Sequence, residues 1–141
     1  MIVLDTDVLT FIQRGSGEVY ARLSQRLSAA KNLPVCATII SFEEQMRGWL
    51  SYVSRAATPE RTIQGYLRLH ALLEDFQTRP VLDFDPDALA VYQRLSKAKI
   101  RIATMDLRIA AIAIANDALL ITRNLKDFRR VPELRAEDWS G

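Results

Sequence analysis

Only one cysteine and one histidine occur among the 141 residues, no apolar run is long, and neither sign of charge dominates. Cys36 has no second thiol, which excludes an internal disulfide. It lies in the apolar segment from Leu33 to Ala37, where a small buried thiol in a reducing compartment is the expected role. His70 falls inside a helical stretch away from any acidic motif, so packing or surface exposure is expected of it rather than catalysis. The longest apolar run, Ile109 to Ala115, is far too short to span a bilayer. Asp5 and Asp7 interrupt the hydrophobic start, and no basic leader or small-residue cleavage site accompanies it; no signal peptide is read, and a soluble cytoplasmic protein is expected. Lys and Arg number 19 against 17 Asp and Glu, so the formal net charge of +2 says little about partners. Internal repeats and low-complexity segments are also missing.

What is present fits one compact domain over residues 1–141: 49% of the chain is hydrophobic and 26% charged, enough to bury a core. Met1 to Leu4 reads as a buried strand and Thr6 to Gln13 as a helix that Asp5 caps. Gly15-Ser16-Gly17 breaks it. Val19, Leu23 and Leu27 mark a helix from Glu18 to Ala30, and Pro34 leads into a second strand through Ala37. Ser41 suits the N-cap of a third helix whose stripe Phe42, Met46, Trp49, Leu50 and Val53 lies opposite Glu44, with Glu43 at its edge. Thr58-Pro59 and Asp85-Pro86 each signal a helix start. A short strand is read near Val81 and Leu82 between these two helices. Asp106 is read as opening a helix almost without a polar face, hence buried. Ala118 to Thr122 reads as a strand, Arg123 to Asp127 as a polar loop, and Leu134 to Glu137 as a last strand. Alternating strands and helices imply an α/β fold with a mainly parallel sheet covered on both faces. Ligands of such sheets bind beyond the carboxyl ends of the strands, where the strand order switches.

Three acids sit where apolar segments end or helices begin: Asp5, Glu44 and Asp106. Singly, Asp5 and Asp106 read equally well as caps, each contributing about 1 kcal/mol, and Glu44 as a solvated helix residue. Asp7 can serve as a cap, a supporting partner or a metal ligand. Brought together, the acids would repel one another and need a cation among them, which makes a divalent metal site the economical reading. From Arg94 onward the chain is rich in Lys and Arg, a composition that suits phosphate contact as well as a solvated helix face.

Four segments in order carry a resemblance: Leu4-Asp5-Thr6-Asp7-Val8-Leu9, Ile40 to Gly48 with Glu43-Glu44, Met105-Asp106-Leu107-Arg108, and Leu120-Ile121-Thr122-Arg123-Asn124-Leu125-Lys126-Asp127-Phe128. Together they resemble the signature segments of PIN-domain nucleases, and most nearly the VapC-type toxins of bacterial toxin–antitoxin pairs. The resemblance implies a three-layer α/β/α sandwich, an endoribonuclease dependent on Mg²⁺ or Mn²⁺, a homodimer and an inhibitory antitoxin partner. It places the family's acids on Asp5, Glu44 and Asp106 and a fourth, often aspartate, on Asn124. That departure removes one negative charge, for which Asp127, a helical turn on, is a candidate replacement. Asp5 and Asp106 are then the expected direct ligands, Glu44 a ligand of the metal or its water, Thr6 and Thr122 polar supports, and Arg108, Arg123 and Lys126 contacts to RNA phosphates. Trp49 and Trp139 are expected in the core or an interface rather than as base-stacking platforms, and the helix-three stripe in the core or, by resemblance, in the dimer contact.

Two other functions compete. A PIN-like module that binds RNA or protein with weak or lost turnover is one, because Asn124 replaces an acid. A haloacid dehalogenase-type phosphatase is the other, since Asp5-Thr6-Asp7 follows a strand, although Leu9 and the lack of a late Gly-Asp motif depart from that pattern.

Overall fold

The computed structural model describes residues 1–141. Strands and helices alternate as β1 (Ile2–Leu4), α1 (Thr6–Arg14), α2 (Glu18–Ala29), β2 (Val35–Thr38), α3 (Ile39–Ser54), α4 (Pro59–Thr78), β3 (Val81–Leu82), α5 (Pro86–Lys97), α6 (Thr104–Ala115), β4 (Leu119–Ile121), α7 (Leu125–Phe128) and β5 (Arg135–Glu137). All five strands are parallel, in the order β3-β2-β1-β4-β5. The chain builds outward from β1 through β2 and β3, then returns to lay β4 on the other side of β1. The strand order therefore reverses between β1 and β4, where a crevice opens at the carboxyl ends.

Alternation along the strands sorts the core into two layers. Val3 and Leu120 point to one face and join Ala88, Val91, Leu95 and the apolar surface of α6. Ile2, Leu4 and Ile121 point to the other, against Val8, Leu9, Leu23 and Trp139. The result is an α/β/α sandwich. Leu107 and the run from Ile109 to Ala113 are buried, as the lack of a polar face on α6 requires. Cys36 is buried and unpaired, and burial pushes its thiol pKa up. No helix is long and apolar enough to cross a membrane.

Several boundaries differ from the sequence reading, each for a local reason. Thr38, not Ser41, caps α3: its extended backbone lets Oγ1 accept the Ser41 N–H at 3.2 Å, and Ser41 becomes a buried residue of the first turn. Helix α6 begins at Thr104 after Ala103, which offers no side-chain cap, so Asp106 stands inside the first turn and its carboxylate is not spent on capping. The segment read as a loop after β4 closes into the short helix α7, because Phe128 N–H reaches Asn124 O at 3.2 Å and the Phe128 ring buries. The α3 stripe divides: Phe42 packs edge-to-face on Phe76 of α4 at 5.1 Å, whereas Leu50 is exposed. Gly65 lets α4 approach α3 closely, since a Cβ there would lie 2.5 Å from Val53 Cγ2.

Candidate active site

Both strands that flank the switch end in a site residue. Asp5 follows β1, and its backbone N–H donates to Ile121 O at 2.9 Å, extending the β1–β4 ladder to the rim. Its side chain is 5% exposed. Oδ1 accepts the Thr6 N–H at 2.9 Å, capping α1, and Oδ2 accepts the Thr122 hydroxyl at 2.8 Å. The capping and site readings of Asp5 therefore hold together. Thr122, fully buried just past β4, has one proton and gives it to Asp5, while its oxygen accepts the Asn124 N–H at 2.9 Å.

Glu44 enters from α3. Thr6 Oγ1 donates to Glu44 Oε1 at 2.7 Å, and the Ser41 hydroxyl, 2.8 Å away, therefore donates to Thr6. Glu43 turns outward to Arg47 at 2.7 Å, so of the adjacent glutamates only Glu44 joins the group. Asp106 arrives on α6. Asn124 Nδ2 donates to Asp127 Oδ2 at 3.0 Å, which links the amide in the fourth position to the acid beyond it.

Electrostatics show how close these carboxyls stand. Asp5 is pushed up to about 7, first by burial and then by the charge of Asp7; the bonds from Thr122 and Thr6 pull the other way, and Asp106 adds a smaller push. Asp106 is pushed up to about 6, again first by burial, then by Glu44, Asp127 and Asp7. Repulsion alone, the sequence argument, is thus the lesser cause. Asp7 and Asp127 also belong to the acidic group, as a spacing of two from Asp5 and one helical turn from Asn124 allowed but did not require. No three His, Cys, Asp or Glu side chains are grouped tightly enough to hold an ion by themselves. That arrangement lacks the closed cage of a structural zinc site, but its all-oxygen, multiply acidic donors fit a hard ion that keeps several waters and takes one or two carboxylates directly.

The basic candidates scatter. Arg123 lies over the Phe11 ring at 4.9 Å and donates to Ser140 Oγ at 3.3 Å, beside α1. Arg108 turns toward α5, over Tyr92 at 5.6 Å. Lys126 is exposed on α7. His70 pairs with Glu74 on the surface at 2.9 Å. Trp139 is core, whereas Trp49 is only half-buried and lines an open cleft.

A parallel sheet switching at β1 and β4, with acids from β1, α3 and α6 around the switch, is matched by a PIN domain over residues 2–134. The chain belongs to the PIN-domain family, among its VapC ribonucleases. It is 32% identical over 143 residues to ribonuclease VapC2 of Haemophilus influenzae, covering 97% of this chain and 96% of that one. The tRNA(fMet)-specific endonuclease VapC of Salmonella typhimurium is 27% identical over 142 residues, with 97% and 96% covered. Among solved structures, VapBC2 of Rickettsia felis bound to a DNA fragment from its promoter superposes with a TM-score of 0.70 at 28% identity, over 99% of each chain. Membership in this family sets the phosphatase alternative aside.

Proposed function

We propose that the chain is a Mg²⁺- or Mn²⁺-dependent endoribonuclease that acts as the toxin of a toxin–antitoxin pair in the cytoplasm. The observation that carries this reading is the meeting of Asp5, Glu44 and Asp106 at the switch point of a PIN fold, with Thr122 on Asp5 and Thr6 on Glu44. Burial and neighbouring charge push Asp5 and Asp106 up, and a cation among them would offset both causes in place of protons. Asp5 and Asp106 would hold the ion, with Glu44 on the ion or its water. When bound, such an ion polarises a phosphodiester and lowers the pKa of water enough to generate the attacking hydroxide.

The chain's own residues do the positioning. Thr122 and the Thr6 N–H fix both oxygens of Asp5, each of which keeps a lone pair free. Thr6 Oγ1 aims Glu44. Asp127, whose charge acts on Asp106, makes up in part for the charge that Asn124 lacks; this weighs against the reading of an inactive binding module. Arg123 and Lys126, which flank Asn124 in the chain, and Arg108, two residues past Asp106, would meet RNA phosphates. The antitoxin partner rests on the Rickettsia relative, a VapBC complex, and RNA on relatives named ribonuclease and tRNA(fMet)-specific endonuclease. A homodimer is favoured by apolar side chains left exposed on α3 and α4, Leu50, Ile63, Tyr66 and Leu67.

Purified protein incubated with small folded RNAs and Mg²⁺ or Mn²⁺ tests the activity. Asp5→Asn and Asp106→Asn should each lower cleavage by more than about 100-fold, beyond the effect of removing a supporting partner, and chelator should abolish it. Cleavage surviving both substitutions would mark a contaminant and end the assignment.

A further inference from the structure

The facing sides of α1 and α3 do not end at the acids. Thr6, Thr10, Gln13 and Arg14 recur along one side of α1, and Glu44, Gln45, Gly48, Trp49, Tyr52 and Arg55 along the opposing side of α3. Their N-terminal ends hold the Thr6–Glu44 contact. Toward their C-terminal ends the helices part, and with α4 they enclose an open cleft of about 820 Å³. Thr10, four residues beyond Thr6, already lines it, and Arg14 lies eight beyond, so the cleft begins about 6 Å from the Thr6–Glu44 contact and its arginine on α1 stands about 12 Å from it.

Its walls are cationic and aromatic. Arg14, Arg55 and Arg68 line it, and none holds a carboxylate, unlike Arg47 with Glu43 at 2.7 Å or Arg79 with Asp75 at 2.8 Å. The one acid in the lining, Asp75, is spoken for by Arg79 and by Gln13 Nε2 at 3.0 Å. Trp49 and Tyr52 line it too and meet edge-to-face at 5.6 Å. The floor is a closed network: Gln13 and Gln45 each donate to the other's Oε1, at 3.1 and 2.7 Å, and their remaining amide protons go to Asp75 and Thr10. Donors already spent cannot read base edges. At Gly48 a Cβ would meet nothing within 4 Å, so the wall is open there.

We infer that this α1/α3/α4 cleft is a second RNA subsite, gripping a single-stranded stretch of substrate beside the scissile bond through phosphates and base stacking rather than through sequence. Guanidinium groups without carboxylate partners, interleaved with aromatic rings, are the chemistry that holds unpaired nucleic acid, and the seam carries the strand from cleft to acids. The inference rests on the ribonuclease reading for its substrate. It reverses the sequence expectation for Trp49.

Fluorescence anisotropy of the whole protein with a labelled single-stranded RNA, measured in chelator so that nothing is cut, tests the subsite apart from the activity. Arg14→Gln with Arg68→Gln, at exposed positions without a carboxylate partner, should weaken binding about tenfold and lower the salt slope by about 0.7 for each phosphate contact removed. Gly48→Leu, which adds an apolar side chain at a lining position where a Cβ would meet nothing within 4 Å, should weaken it comparably. With metal, both variants should raise KM for long RNA while kcat stays within about twofold, and the double arginine variant should cut a dinucleotide, too short to span from the acids to Arg14, as the parent does. Unchanged RNA binding in both variants overturns the subsite, whether or not the parent cleaves. A parent that binds RNA through the cleft but never cleaves overturns the ribonuclease reading alone. If polyglutamate displaces the RNA and binds the parent more tightly, through the same arginines, the cleft is a protein-docking site and the inference fails.

Discussion

Asp5 shows how one side chain serves two purposes. It caps α1 and belongs to the acidic group, because its two oxygens point to different donors. Removing the Thr122 hydroxyl takes away a bond that favours the ionised form, so Thr122→Val should move the Asp5 titration, followed by carboxyl NMR in metal-free protein, to higher pH than its present value of about 7. A titration that stays put or falls would remove Thr122 from the site. Asn124 allows a second test. Aspartate there would lose the bond to Asp127 and set two carboxylates side by side, so Asn124→Asp should bind Mn²⁺ about tenfold more tightly by calorimetry, as added ligand charge does for hard ions. Unaltered affinity would show that Asp127 already completes the set. Position alone chose Glu44 over Glu43 in the sequence, and a hydroxyl from α1 makes the choice physical. Asp7 and Asp127 could not be chosen that way, since which carboxylates face one another depends on how separate elements pack.

At the scale of elements, capping and close packing decide where helices begin and how they meet. Thr58-Pro59 and Asp85-Pro86 start α4 and α5 where the sequence placed them, with Thr58 and Asp85 accepting the N–H groups of Arg61 and Ala88. Ser41 and Asp106 carried the same composition signal and cap nothing, because Thr38 and Thr104 precede them in geometries that begin the helix earlier. Contact between α3 and α4 depends on Gly65. Alanine there gains helix propensity of up to about 1 kcal/mol but drives its Cβ toward Val53 Cγ2 and Tyr52 Cδ1, at 2.5 and 2.9 Å. Overpacking costs about 1–3 kcal/mol, so Gly65→Ala should lower the denaturation midpoint, whereas Gly48→Ala, with open space around it, should raise or leave it. Equal stabilities for the two variants would contradict the packing described.

For the whole molecule, the acidic group couples stability to pH and to metal. Asp5 and Asp106 hold protons more tightly in the folded chain than at their ordinary 3.8, so between about pH 4 and 7 the folded state carries the extra protons and stability falls as pH rises. Asp75 runs the opposite way: despite burial, bonds from Arg79 and Gln13 hold it below its ordinary value, and its contribution is complete by about pH 4. In chelator, Tm should therefore decline from about pH 5 to 7, and saturating Mg²⁺ or Mn²⁺ should flatten or reverse the decline, because a cation that binds only the folded state replaces the protons. A Tm that climbs through this range without metal would contradict the burial of Asp5.

The amino-acid sequence by itself determined the five strands and six of the seven helices, that α6 is buried, and that acids end or begin those segments, because hydrophobic period and capping chemistry act over a few residues. Only the tertiary structure decided that β4 lies beside β1, which brings Thr122 to Asp5. It also decided that Asp7 and Asp127 join the acids and that α1, α3 and α4 part to leave a cationic cleft. Those are relations between distant segments, settled by which faces the sheet must bury and how closely a glycine lets two helices approach.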